Sequence, residues 1–280
     1  MSRDQRRLTL KGYLKEYERG GFSPDRPPTL FGLVRELVDI LEDSKNPKRM
    51  GDAGAHLYKV YDTCAKKYAG REAVACKKGC GYCCHTLVTI TAPEIFVLAR
   101  AVQERWKHPE DSFKADFEKA EAGTRGLTLL QRQTGRLACP LLSESSCSFY
   151  MPRPLTCRGY ASTSLPACLD LYNHAVNNVP HPLINQAMRS FIFAGLHAAL
   201  GLTGFDTREF ELGHALHVAL QPRAEARWLA GEAIFDGVAQ AEQAPERAQG
   251  RQDFQFLVQV LKDGAYGKDV PANPWFGWTS

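Results

Sequence analysis

Ala75-Cys76-Lys77-Lys78-Gly79-Cys80-Gly81-Tyr82-Cys83-Cys84-His85 carries four of the chain's nine cysteines and shows neither a helical nor a strand period. Punctuated by Gly79 and Gly81, which supply backbone freedom, it reads as a loop that wraps an ion. A tight turn such as Cys80-Gly81-Tyr82-Cys83 lets two sulfurs converge, the way structural zinc sites collect their ligands. A second group, Cys139, Cys147, Cys157 and Cys168, lies in a stretch broken by Pro140, Pro152, Pro154 and Pro166. Long irregular stretches are uncommon in a compact domain unless they are functional or disordered, and four cysteines in this one favour a loop stapled by metal. The expected fold is mainly α, helical, with little β and an irregular metal-stapled cysteine-cluster core.

Cys76, Cys80, Cys83, Cys84, Cys139, Cys147, Cys157 and Cys168 are therefore the candidate metal ligands. Zn²⁺ takes four ligands in a tetrahedron and iron-sulfur clusters take four thiolates, so spacing alone leaves zinc and iron both open. Consecutive side chains in extended backbone point opposite ways, so Cys83 and Cys84 are expected to serve different sites. That favours two metal centres or one polynuclear centre over a single four-cysteine site, with one of the pair spare. Four thiolates around Zn²⁺ leave a charge of about −2, which nearby donors must offset. Lys77, Lys78, Arg153 and Arg158 are placed to do so. The lysines read equally well as solvated surface charges, whereas the arginines bracketing Cys157 are expected to face the site. His85 and His174 are the imidazoles that would replace a cysteine.

Cys64 is different. From about Ala53 to Tyr68, Leu57, Val60, Tyr61, Cys64 and Tyr68 fall on one helical face, and a cysteine there behaves as a small hydrophobe. Before that helix, Leu33, Leu37, Ile40 and Leu41 mark another, capped by Thr29 and ending near Asn46-Pro47. Beyond the first cysteines, Leu87 to Ile90 reads as a short strand. Thr91 and Glu94 then form a capping box opening a helix through Ile95, Leu98, Ala99 and Val102. Further helices are expected over Asp111 to Ala122, from Pro182 through Ala198, and over Phe210 to Leu220, Ala224 to Val238 and Asp253 to Lys262. Glu211-Leu212-Gly213-His214 is a lone Glu-x-x-His pair where a di-iron bundle needs two, so its histidine, like His217, is read as satisfying local polar groups.

Composition sets the outer limits. A chain of 280 residues, 44% hydrophobic and 24% charged, can bury its own core. The divisions expected are an N-terminal helical segment 1–70, a cysteine-cluster region 71–170 and a C-terminal helical region 171–280, together one compact domain. The formal charge of +4 is dispersed rather than gathered in a stripe, which argues against a dedicated nucleic-acid binder. The N-terminal charges are followed by Lys11, Glu16 and Arg19 rather than an apolar run, so no secretory signal is read. Phe191 to Leu202 falls short of the roughly 20 apolar residues of a membrane span and reads as a buried helix. An odd cysteine count and no leader place the chain in the reducing cytoplasm, where dense cysteines point to metal or catalysis. No glycine-rich phosphate loop and no local nucleophile signature is present.

Cys76-x3-Cys80-Gly81-Tyr82-Cys83-Cys84, Cys139-Pro140-Leu141-Leu142, Cys147-Ser148-Phe149-Tyr150 and Arg153-Pro154-Leu155-Thr156-Cys157-Arg158 resemble the YkgJ-like cysteine-cluster family in order and in connecting residues. That family is known as a zinc- or iron-chelating domain of bacterial proteins and includes a flagellin lysine methylase. The resemblance covers Cys76 to Cys168; the gap after Cys76 is three residues where two is commoner. It implies metal chelation. The expected function is a metal-binding protein holding Zn²⁺, iron or an iron-sulfur cluster, with metal ions as its partners. The alternative is a metal-cluster-dependent enzyme modifying a protein side chain, with a protein substrate; this rests on family analogy.

Overall fold

Apolar residues at three- and four-residue spacing close into helices over most of the chain. The computed structural model describes residues 30–68, 73–77, 79–108, 113–174 and 178–240. In α1 (Leu30–Glu42), Leu33, Val34, Leu37, Val38 and Leu41 are buried on one stripe, and the helix packs against α8 (Leu183–Leu202). In α2 (Arg49–Tyr68), Met50, Ala53, Leu57, Val60, Tyr61 and Cys64 are buried, and the helix lies against α1, α8 and α3 (Ala92–Arg105). One core, running in sequence from Leu33 to Val238, joins these helices to the cysteine region. The fold is mainly helical with little β, as expected, and among the described residues no helix is long and apolar enough to cross a membrane.

The α2–α3 contact depends on Gly54. A Cβ there would stand 2.4 Å from the Pro93 carbonyl oxygen and 2.8 Å from Val97 Cγ2. Backbone cannot yield as a flexible side chain can, so Gly54→Ala is expected to destabilise by about 1–2 kcal/mol even after the roughly 1 kcal/mol that alanine gains in helix propensity. Chemical denaturation measures this; an unchanged midpoint would show that the two helices have slack.

Thr91 and Glu94 open α3 as the sequence indicates, with the Glu94 carboxylate accepting the Thr91 N–H at 3.3 Å and the Thr91 hydroxyl at 2.7 Å. The strand before it, β1 (Thr89–Thr91), sits slightly later than the expected Leu87–Ile90 and pairs antiparallel with β4 (Glu209–Glu211), Ile90 opposite Phe210. That partner strand lies where a helix from Phe210 was expected. Its Glu-Phe-Glu alternation puts Phe210 fully into the core, and α9 (Leu212–Ala219) starts only after Glu211 caps it through the His214 N–H at 2.8 Å. The expected helix Ala224–Val238 is also shortened, to α10 (Ala224–Leu229). Gly231 at φ +86° follows its end, and the chain turns so that Phe235 packs on Trp228 with ring centroids 5.0 Å apart.

Between lie α4 (Phe113–Ala122), α5 (Leu129–Thr134), the hairpin β2 (Leu142–Ser143) and β3 (Ser146–Cys147), α6 (Leu155–Gly159) and α7 (Leu165–Tyr172). The stretch Cys139–Cys168 is therefore more regular than its prolines suggest. Pro166 sits in the first turn of α7 behind the Ser164 cap, a position where proline starts a helix rather than breaking one. Glu144 and Ser145, both at positive φ, make the two-residue hairpin turn without glycine. Thr29, Lys78 and the helical pattern Asp253–Lys262 fall outside the described residues.

Candidate metal centre

The first cysteine group is held between the second. Ala75 N–H donates to the Ser162 carbonyl at 2.8 Å and Ser162 N–H to Cys76 Sγ at 3.4 Å, tying the segment of Cys76 to the residues just before α7. Gly79 turns the chain at φ +84°, and a 3₁₀ turn, Tyr82–His85, then carries Cys83 and Cys84. Gly81 serves for closeness rather than for backbone freedom, since its φ is an ordinary −101°. A Cβ at Gly81 would meet Leu142 Cδ1 and the Ser145 oxygen at 3.1 Å. The turn thus lies directly on the hairpin that presents Cys147 opposite Leu142. Cys139 N–H donates to the Cys84 carbonyl at 2.7 Å. On the opposite side α7, with Cys168, packs on the turn, and the Tyr172 ring stands 5.7 Å from Tyr82 and 5.0 Å from His85.

Cys83 and Cys84 are therefore not in extended backbone, as the sequence reading assumed. In a 3₁₀ turn adjacent side chains are a third of a turn apart. The neighbouring Cys84 thiol, then burial, pushes the Cys83 thiol far up. Burial pushes Cys157 up, and the neighbouring Cys139, Cys83 and Cys147 push it further, while Arg153 opposes them. Cys139 is raised to about 12, mainly by burial, with Arg132 opposing. Cys168 is raised by burial and by Cys76, Cys80 and Cys83. Low dielectric disfavours an isolated thiolate here, and only a cation in their midst makes ionisation favourable.

The cations differ from those expected. Arg153 opposes the rise of Cys83, Cys147 and Cys157, while its guanidinium donates to the Tyr150 carbonyl at 2.6 Å and lies 3.8 Å from that ring's centre. Arg158 is engaged elsewhere: it donates to the carbonyls of Met151 and Arg153, pairs with Asp62 of α2 and lies 4.3 Å from the Tyr58 ring centre. It locks the loop to the bundle. Lys77 is exposed. Arg132 and Arg136 were not anticipated, although Arg132-x3-Arg136-x2-Cys139 is visible in the sequence. Arg132 donates to the carbonyls of Leu137 and Ala138, fixing the approach to Cys139. Arg136 holds Nε and Nη1 buried with no hydrogen-bond partner, and it opposes the rise of Tyr160. Tyr160, also unanticipated, is raised to about 12 by burial, Cys83 and Cys168, so its phenol belongs to this neighbourhood.

The remaining candidates have local roles. His85 Nδ1 bonds the Gly81 carbonyl at 3.1 Å, and His174 lies past the end of α7 at φ 63°. Glu211 caps α9, and His217 stands 3.8 Å from Glu121. Cys64 is 7% exposed, in the core.

None of the nine cysteines is in a disulfide. Among the described residues no three Cys, His, Asp or Glu side chains stand close enough to share one ion in their present rotamers. The donor set nevertheless suits zinc or iron: soft thiols from both groups lie within electrostatic reach of one another, and Arg153 opposes their rise. Helices thus frame a cysteine-rich layer. Residues 75–180 match the CxxCxxCC family, described as "Putative zinc- or iron-chelating domain", which bears out the resemblance seen in the sequence. No curated protein and no solved structure matches the chain.

Proposed function

We propose that the chain holds zinc or iron, iron-sulfur included, through the thiols of Cys76, Cys80, Cys83, Cys84, Cys139, Cys147, Cys157 and Cys168, in a reducing compartment such as the cytoplasm. The observation that carries this is the meeting of two cysteine groups, with 54 residues between Cys84 and Cys139, around one 3₁₀ turn. Steps of χ1 between staggered wells are the movement that would close the thiols on an ion. The second reading, a lysine methylase-like enzyme, rests on the family resemblance alone. Anaerobic purification followed by metal and sulfide analysis tests the proposal. Bound iron with sulfide and broad visible absorption marks a cluster, and colourless protein with zinc marks the other case. Protein free of both metals would sink it.

Acid and alkali should act on different forms. In the loaded protein protons compete with metal for sulfur, so metal should leave below about pH 5 with uptake of protons. In the chelated protein the thiols are raised in the folded state, Cys139 to about 12. Stability from a raised group is full below its ordinary value and is lost as pH rises through the folded one. The chelated, reduced chain is thus expected to weaken from about pH 9 upward, by up to about 1.4 kcal/mol per pH unit for each such thiol. Denaturant midpoints that stay level from about pH 8 to 11 would contradict this.

A further inference from the structure

Arg132 is only 2% exposed, and its guanidinium joins two distant parts of the chain. Nη1 and Nη2 donate to the carbonyls of Leu137 and Ala138, the second at 3.3 Å, while Nε stands 3.5 Å from Glu211 Oε1. The buried Glu211, the last residue of β4, spends its other oxygen on the His214 N–H at 2.8 Å, so one carboxylate both caps α9 and offsets the arginine. This β4–α9 corner is itself pinned: Glu211 N–H donates to the Ala239 carbonyl at 2.7 Å and Leu212 N–H to the Val88 carbonyl at 3.1 Å. It also meets the chain after Cys139, since a Cβ at Gly213 would stand 3.0 Å from Pro140 Cγ. Cys139 is thus held from both flanks, before it by Arg132 and after it by α9, while its own N–H bonds the Cys84 carbonyl at 2.7 Å.

Resting on the chelation proposed above, we propose that Arg132 and Glu211 are positioning residues for the metal: the pair holds the backbone leading into Cys139 against Cys84, so that an ion is retained tightly only when β4 and α9 are docked. Neither residue is a ligand. Arginine suits the task because its planar fork reaches two carbonyls and a carboxylate at once, which the single ammonium of lysine cannot do. The carboxylate suits it because a buried guanidinium without a partner charge would be costly, so the fork stays where Glu211 is. Coupling of this kind is reciprocal: a bound ion steadies the β4–α9 corner by as much as the docked corner tightens the ion.

The test uses the full chain, chelated under reductant and reloaded with zinc alone. Zinc affinity, read by competition with a chelator on protein shown to be folded by circular dichroism, should fall about 10- to 100-fold in Arg132→Lys, the range for partners that orient ligands. Glu211→Gln keeps an acceptor for the His214 N–H and removes only the charge facing Arg132, and it should fall about 10-fold. In the parent, zinc should slow hydrogen exchange of the Glu211, Leu212 and His214 amides, and Arg132→Lys should lose that slowing. A pair that merely supports the fold would speed exchange with and without zinc alike. Folded variants with the parent's zinc affinity would overturn the positioning role while leaving chelation intact. So would parent amides that exchange equally with and without zinc, an outcome that needs no variant to fold. A parent chain that takes up neither zinc nor iron would instead overturn chelation and this role with it.

Discussion

Cys80→Ser and Cys157→Ser are each expected to lower metal affinity by more than about 100-fold, beyond the 10- to 100-fold carried by residues that only orient ligands. Cys64→Ser should keep its metal. Serine offers no thiolate, and the two ligand candidates come from different cysteine groups, Cys80 just before the 3₁₀ turn and Cys157 in α6. Cys64 lies in the core face of α2, where a hydroxyl in place of a thiol costs on the order of 1–2 kcal/mol of stability without touching the site. Metal content of the three variants, purified side by side, decides the matter. Equal loss from all three would mean that Cys64 belongs to the site or that the losses report only unfolding.

Glu94→Ala is expected to destabilise the fold by about 3 kcal/mol and to weaken metal binding as well, though Glu94 is no ligand. Its fully buried carboxylate accepts the Leu155 N–H at 2.7 Å and both donors of Thr91. One side chain thereby fixes the start of α3 and the start of the short helix that holds Cys157. Removal orphans buried donors at both helix ends. Glu94→Gln, which keeps an acceptor oxygen, should be milder and separates the bond from the charge. Burial raises the Glu94 carboxyl above its ordinary 4.5, so its contribution is full below that value and lost as pH rises through the raised one. The chelated parent should therefore gain on Glu94→Gln as pH falls from about 7 to 5. An alanine variant that unfolds at the parent's denaturant concentration and keeps its metal would refute the role.

The helices were legible because each carries its own apolar stripe: α1, α2, α3 and α8 could be written down from residues such as Leu33, Leu57, Ile95 and Ala198. The Thr91–Glu94 box was legible because a cap is a local event. What escaped depends on partners distant in sequence. β4 exists because Ile90 lies opposite Phe210, 120 residues away, and three residues of Glu-Phe-Glu ahead of an apolar helix carry too little pattern to announce a strand. In the site, thiol-rich loops marked themselves by composition, whereas Arg132, Arg136 and Tyr160 are ordinary residues whose place is set by how the chain returns to Cys83. Arg158 was misjudged for the same reason: adjacency to Cys157 in sequence puts its guanidinium on the α2 side, against Asp62 and Tyr58.

The pairing of β1 with β4 also sets an order of assembly. Cys168, the last of the eight thiols, emerges from the ribosome 41 residues before Glu209, the first residue of the strand that completes the sheet. At about 5–20 residues per second, all eight are present for roughly 2–8 seconds while Thr89–Thr91 still lacks its partner. During that interval the nascent chain has its sulfurs but not the strand and α9 that close over the adjacent core. Were the thiols to bind an ion as proposed, its insertion and the closure of the sheet would be separable events, and insertion could come first.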